Sequence, residues 1–253
     1  MPVHSRSDLG IPENIRACLF DLDGVLTQTA VVHAAAWKEM FDGFLRQWSE
    51  RTGQPEAPFD PVADYDTYVD GKPRADGTRS FLKSRGIDLP EGSAADPPGT
   101  FTIAGLGNLK NDIVLRRIAE DGVQVYPGSV RYLHAVAAAG LHRAVVTSSA
   151  NCASVLAAVG LTGQFDAEVD RLVAAREHLA GKPAPDTYLA GARMLGVPPA
   201  DAVVYEDALA GVAAGRAGQF GYVVGVDRVG QADALHAAGA DVVVKDLADL
   251  LAE

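Results

Sequence analysis

The chain has only two cysteines, Cys18 and Cys152, too few for a disulfide scaffold or a cysteine-built zinc cluster. Histidines are also sparse, and those at 4, 33, 134, 142, 178 and 236 include no HxH or HExxH spacing. Basic residues are outnumbered, 22 against 33 acidic, for a formal net charge of −11. That argues against non-specific binding to nucleic acid or anionic membrane, both of which reward Lys/Arg clusters. It leaves room for a small anion held by a few local cations, and it favours metal cations. No apolar run approaches the ~18–20 residues that cross a bilayer, and the opening MPVHSRSDLGIPE lacks the apolar stretch of a secretory signal. The expectation is a cytoplasmic protein with no nucleic-acid or membrane partner.

What is present is the balance of an ordinary globular protein, 48% hydrophobic and 22% charged. At 253 residues the chain is about 1.7 typical domains long, room for one large or two modest domains. Short β-rich apolar runs at 15–20, 144–148, 165–169, 202–206, 222–226 and 241–244 alternate with helix-like stretches near 129–139, 151–159, 185–195, 208–217 and 231–238. Several of these end at a glycine (140, 160, 196, 239), as helix C-termini often do. Near-continuous apolar strands alternating with helices predict an α/β fold, a parallel sheet with helices on both faces.

One stretch breaks the rhythm. A long helix is predicted over about 31–51, with Val32, Ala36, Met40, Phe44 and Trp48 at helical spacing. Polar, Pro/Gly-rich segments follow at 53–76 and 86–107, around shorter helical runs at 77–85 and 109–120. The expected organisation is an α/β core of 14–30 and 126–253, a helical insertion of 31–125, and an N-terminal tail of 1–13 without functional signal. Insertions at the C-terminal end of a parallel strand stand where α/β proteins bind ligands.

The chemistry concentrates at strand ends. In Asp21-Leu22-Asp23-Gly24, strand alternation would send both carboxylates into one crevice. Two like charges buried together need a cation or a proton between them. Tyr205-Glu206-Asp207 ends another predicted strand in the same way, so acids from two strand ends make an oxygen-rich site suited to Mg²⁺. A third strand runs into Thr147-Ser148-Ser149-Ala150-Asn151 before a helix, where hydroxyls and amides can cradle an anion. In Gly181-Lys182-Pro183 the restricted backbone fixes a lysine suited to a phosphate.

DxD, T-S, GKP and ED, in that order, form the motif series of the haloacid-dehalogenase superfamily, which the sequence resembles over nearly its full length. The resemblance implies that Asp21 is a nucleophile forming an aspartyl-phosphate and Asp23 the general acid/base. Asp21, the Asp23 carbonyl and Asp207, with Glu206 in support, would hold Mg²⁺. Thr147, the Ser148 amide and Lys182 would steady the transferring phosphoryl. In the insertion, Thr29, His33, Gly71-Lys72-Pro73-Arg74 and Leu109-Lys110-Asn111-Asp112 are similar to the β-phosphoglucomutase-like subgroup. There the insertion is a cap over the sugar phosphate. Arg74 would grip the distal phosphate, and His33 and Lys110 would couple cap closure to acid/base readiness.

The implied activity is a Mg²⁺-dependent mutase interconverting β-glucose 1-phosphate and glucose 6-phosphate through a bisphosphate, with a sugar-phosphate phosphatase as the alternative. A monomer suits the architecture. The sequence departs from the subgroup at Ala150, where a lysine helps to hold the distal phosphate. Arg74, Ser149, Asn151 and Lys72 are candidates to compensate. Competing motifs fail. Gly71-Lys72 and Gly181-Lys182 run into proline rather than the Ser/Thr of a phosphate loop, Gly105-Leu106-Gly107 does not follow strand one, and no G-x-S-x-G occurs. Cys152 opens a helix, and Gly211, Gly215 and Gly218 read as close helix–sheet packing.

Overall fold

The computed structural model describes residues 7–252. In chain order the strands are β1 (Ala17–Phe20), β2 (His142–Val146), β3 (Ala167–Val169), β4 (Ala202–Glu206), β5 (Tyr222–Val226) and β6 (Val242–Val244). The helices are α1 (Thr29–Thr52), α2 (Arg74–Ser84), α3 (Ile103–Asp121), α4 (Pro127–Ala138), α5 (Cys152–Ala158), α6 (Arg171–Arg176), α7 (Asp186–Met194), α8 (Leu209–Ala217) and α9 (Ala232–Ala238). The chain divides into two compact units. One runs to Gln28 and resumes at Val123, and the other is Thr29–Gly122.

The first unit is a six-stranded sheet in the order β3-β2-β1-β4-β5-β6, with every pairing parallel. β1 and β4 are buried along their whole length, as strands covered on both faces must be. From β1 the chain steps outward to β2 and β3, then crosses back to β4 and steps the other way. The strand order therefore reverses between β1 and β4, and ligands bind open α/β sheets outside the carboxyl ends of strands at such a reversal. Register places Phe20 beside Val145 on one side and Tyr205 on the other. Asp21, the next residue, thus emerges between Val146 and Glu206.

Residues 7–13, expected to be tail, are part of this unit, whereas 1–6 lie outside the described residues. A 3-10 turn at Ser7–Leu9 buries Leu9, and Ile11 and Ile15 follow it into the interior. The Tyr132 hydroxyl donates to the Leu9 carbonyl at 2.8 Å and lies 2.8 Å from the Tyr205 hydroxyl. The helix-ending glycines at 140, 160, 196 and 239 all have positive φ, which a side chain would strain.

The second unit has its own core, built largely from aromatics. Five of the eight phenylalanines lie in it, at 41, 44, 59, 81 and 101. Phe41 stacks on Trp37 at 5.2 Å and meets Phe81 at 4.1 Å, while Phe44 meets Phe101 edge-on at 5.0 Å. Such pairs add roughly 0.5–1.5 kcal/mol each beyond their burial. α3 begins six residues before the helix the periodicity predicts. Thr102 caps it by accepting from the Gly105 amide, and Gly105 and Gly107, which read as loop formers, sit against neighbours. A Cβ on Gly105 would stand 2.5 Å from the Thr100 carbonyl oxygen. The π-helical turn Tyr65–Val69 and α6 lie where no element is expected.

Candidate active site

The site begins where β1 stops. The strand ends at Phe20, so strand alternation does not aim Asp21 and Asp23 as expected, and a tight loop does so instead. The Leu26 and Thr27 amides and the Thr27 hydroxyl all donate to the Leu22 carbonyl, and the Gly24 amide donates to the Thr27 carbonyl at 2.7 Å. Gly24 holds φ +94°, and a Cβ there would fall 1.7 Å from Asp207 Oδ2. The loop needs glycine both for its backbone and for the space the second acidic strand end occupies.

Lys182 joins the three register neighbours. Its ammonium donates to Asp21 Oδ1 at 2.5 Å, Glu206 Oε1 at 2.6 Å and the Val146 carbonyl at 3.1 Å, and lies 4.8 Å from the centre of the Tyr188 ring. The Tyr188 hydroxyl donates to the same Glu206 oxygen at 2.9 Å, and the Ala208 amide donates to the other at 3.2 Å. Gly211 sits where a Cβ would overlap the Glu206 carboxylate at 1.7 Å, so this glycine makes room for a site residue, while Gly215 packs against Val204 and Val223 as expected. Asp23 accepts from the Thr147 hydroxyl at 3.2 Å.

Burial pushes Asp21 well above the usual carboxylate range. Lys182 offsets this only in part, and Glu206 and Asp23 push it further up. Burial also works against the charge on Lys182, but Asp21 and Glu206 outweigh it and hold the ammonium above its ordinary value. Two buried carboxylates, Asp21 and Glu206, thus share one ammonium. Oxygens of Asp21, Glu206 and Asp207 all lie within 4.8 Å of one another, an all-oxygen donor set that fits a hard divalent cation.

The Thr147–Asn151 segment follows β2. The Thr147 and Ser149 hydroxyls accept from the Ser149 and Asn151 amides at 3.0 and 3.1 Å, so two amides of the expected anion cradle serve the turn itself. α5 starts at Cys152, which is buried, and burial raises its thiol well above the usual range, against a reactive thiolate there.

The other expected residues gather within the helical unit. Lys110 is buried and lies 2.6 Å from His33 Nδ1 and 4.9 Å from the Trp37 ring centre. Arg74 opens α2 against Gly107, one helical turn before Lys110. Lys72 is spent on the Thr67 and Tyr68 carbonyls at 3.1 and 3.0 Å and on Ser80 Oγ at 3.4 Å, so its three donors serve the local fold.

Sequence reasoning missed Tyr188, Arg228 and Gln231. Tyr188 left no signal beyond helical spacing. Arg228 and Gln231 lie just past the C-terminal end of β5, a position that could have flagged them.

The family model for haloacid dehalogenase-like hydrolases matches residues 15–219. A β-phosphoglucomutase of Mycobacterium bovis is 58% identical over 246 residues, covering 96% of this chain and 94% of that protein. The chain belongs to the haloacid-dehalogenase superfamily, in its β-phosphoglucomutase-like subgroup. It is a phosphoryl-transfer enzyme. A second β-phosphoglucomutase, from Bacillus subtilis, is 31% identical over 94% of this chain and 93% of its own length. The crystal structure of β-phosphoglucomutase from Clostridium difficile shares the superfamily fold, with a TM-score of 0.72 at 24% identity over 93% of each chain.

Proposed function

We propose that the enzyme is a Mg²⁺-dependent β-phosphoglucomutase that interconverts β-glucose 1-phosphate and glucose 6-phosphate. The observation that carries this reading is the set of Asp21, Asp23, Lys182, Glu206 and Asp207 around one reversal point of the sheet, in a chain akin to β-phosphoglucomutases. Bound Mg²⁺, held by Asp21, Asp207 and the Asp23 carbonyl with Glu206 in support, would neutralise the crowded carboxylates and the incoming phosphoryl. Residues 29–122 act as the cap, contributing Arg74, His33 and Lys110 to the sugar phosphate.

Asp21 attacks phosphorus. Its carboxylate oxygen gains the new O–P bond as the sugar O–P bond breaks, and Asp23 protonates the leaving oxygen. In the reverse sense, Asp23 takes the proton of a sugar hydroxyl as that oxygen attacks the aspartyl-phosphate. Thr147, donating to Asp23, keeps one carboxylate oxygen turned toward the loop. Lys182, already on Asp21, places a fixed positive charge where the phosphoryl oxygens gather charge, and positioning of this kind is most of what phosphoryl transfer needs.

Ala150 favours a second reading, a sugar-phosphate phosphatase in which water attacks the aspartyl-phosphate. A bisphosphate must be kept or rebound by a mutase and need not be by a phosphatase. Incubation with Mg²⁺, β-glucose 1-phosphate and a trace of the 1,6-bisphosphate separates the two. Glucose 6-phosphate without free phosphate is expected, and phosphate release without isomerisation would refute the mutase. Asp23→Asn should lower turnover about 10²–10⁴-fold with Mg²⁺ binding kept, and unchanged turnover would remove Asp23 from its role.

A further inference from the structure

The loop Asp227–Gln231, beyond β5, touches both acidic strand ends. Arg228 Nε donates to the Gly24 carbonyl at 2.8 Å and Nη2 to the Val25 carbonyl at 3.3 Å, the two peptides that follow Asp23. Its Nη1 donates to the Lys245 carbonyl at 2.8 Å and Nη2 to Ser129 Oγ at 3.4 Å. The guanidinium lies 3.4 Å from the centre of the Tyr126 ring, with Asp246 3.5 Å away, and the side chain is 13% exposed. Three residues on, Gln231 Nε2 donates to the Asp207 carbonyl at 3.1 Å. The loop is itself fixed, because Asp227 Oδ1 accepts from the Gly230 and Gln231 amides at 2.6 and 2.8 Å and the Asp227 amide donates to Val244.

We infer that Arg228 and Gln231 are positioning residues that brace the Asp23 loop against Asp207 and so set Mg²⁺ affinity and the acid/base geometry of Asp23. The inference rests on the proposed reading of the site. Gly24 and Asp207 are in mutual contact, since a Cβ on Gly24 would overlap the Asp207 carboxylate. Two short chain segments therefore share one small space, and each is held by a different end of the same loop. Only an arginine offers several donors in a rigid fork that can bond two successive carbonyls while its face stacks on a ring. Lysine at 228 has a single nitrogen and could not reach the Gly24, Val25 and Lys245 carbonyls together while laying a flat face on the Tyr126 ring.

Calorimetric titration of the purified protein with Mg²⁺, without substrate, together with steady-state kinetics tests the brace. Arg228→Met should weaken Mg²⁺ binding and lower kcat by about 10–100-fold, the usual cost of losing an outer support of a metal site, with KM for sugar phosphate held within about two-fold. Arg228→Lys should recover part of both losses, and Gln231→Met should weaken Mg²⁺ binding on its own. The effects of the Met substitutions should combine to less than their product, since both act on one contact. Folded Arg228→Met and Gln231→Met proteins with unchanged Mg²⁺ affinity and kcat would overturn the brace, as would a raised KM at unchanged kcat. Should Arg228→Met fail to fold, Arg228→Lys and Gln231→Met decide by the same measures. An unaltered protein that binds no Mg²⁺ would refute the reading of the site and the brace with it, whereas normal binding with indifferent variants would refute the brace alone.

Discussion

Replacing Lys182 with methionine puts the electrostatics of the site to a quantitative test. The side chains of Lys182, Asp21 and Glu206 are 1%, 9% and 1% exposed, and the ammonium bridges the carboxylates at 2.5 and 2.6 Å. Methionine keeps the length and apolar stem but no donor, leaving two carboxylates buried together. Breaking a buried ion pair by removing one partner costs about 3–5 kcal/mol. At ~2–4 °C per kcal/mol for a chain of this size, the melting temperature should fall by about 6–20 °C at neutral pH.

The pH dependence has a definite sign. Asp21 is an acid whose folded pKa stands above its unfolded value, so its contribution is fully present at low pH and is lost as pH climbs from the unfolded value toward the folded one. Lys182 is among the groups that hold Asp21 down. Its removal raises Asp21 further and extends that loss to higher pH, at up to ~1.4 kcal/mol per pH unit. The ammonium's own stabilisation is constant below about pH 10, so it adds no slope in this window. The gap between Lys182→Met and the parent should be small near pH 4 and wide at pH 8, with Mg²⁺ recovering part of it. Thermal melts followed by circular dichroism at the two pH values, with and without Mg²⁺, measure it. A gap of equal size at both would refute the account.

Gly24→Ala should displace Asp207, since its Cβ would stand 1.7 Å from Oδ2 on a backbone at φ +94°. Turnover should drop about 10–100-fold, with weaker Mg²⁺ binding by titration. Ala150→Lys should lower KM for the bisphosphate about ten-fold, the scale of one charge-assisted hydrogen bond, and reduce phosphate release per isomerisation in the coupled assay. Cys18 is buried, with its thiol pushed up to about 12 by burial, and Cys152 is buried and raised likewise. Native protein at pH 8 should therefore resist iodoacetamide at both, with rapid labelling only after unfolding, as followed by intact mass.

The sequence carried most of the sheet and the acids and lysine that the fold gathers at the candidate site, for reasons that differ by element. β4 and β5 match the predicted 202–206 and 222–226 because buried parallel strands are unbroken apolar runs with polar ends. The start of α3 was hidden because Gly105 and Gly107 lower helix propensity, and the close approaches that justify them come from residues packed in three dimensions. Asp21 and Asp23 were legible as a pair, but the loop that aims them depends on hydrogen bonds to Leu22 that no periodicity encodes. Lys72 and Lys182 look alike in sequence, each between glycine and proline. Only the fold gives one to backbone carbonyls of its own turn and the other to two carboxylates. Arg228 escaped notice because its partners, Gly24 and Val25, lie more than two hundred residues away.

The central position of β1 has a consequence for how the chain is made. It leaves the ribosome first among the strands, yet its neighbours begin at His142 and Ala202, and the lysine that neutralises Asp21 lies 161 residues beyond it. By the time Gly122 has been added, Thr29–Gly122 already holds every residue of its own aromatic core. Synthesis from the N-terminus therefore supplies a complete helical unit while the sheet's middle strand still waits for partners. Pairings this distant in sequence close slowly. Asp21 is among the first of the candidate site residues to be synthesised and among the last to acquire its surroundings.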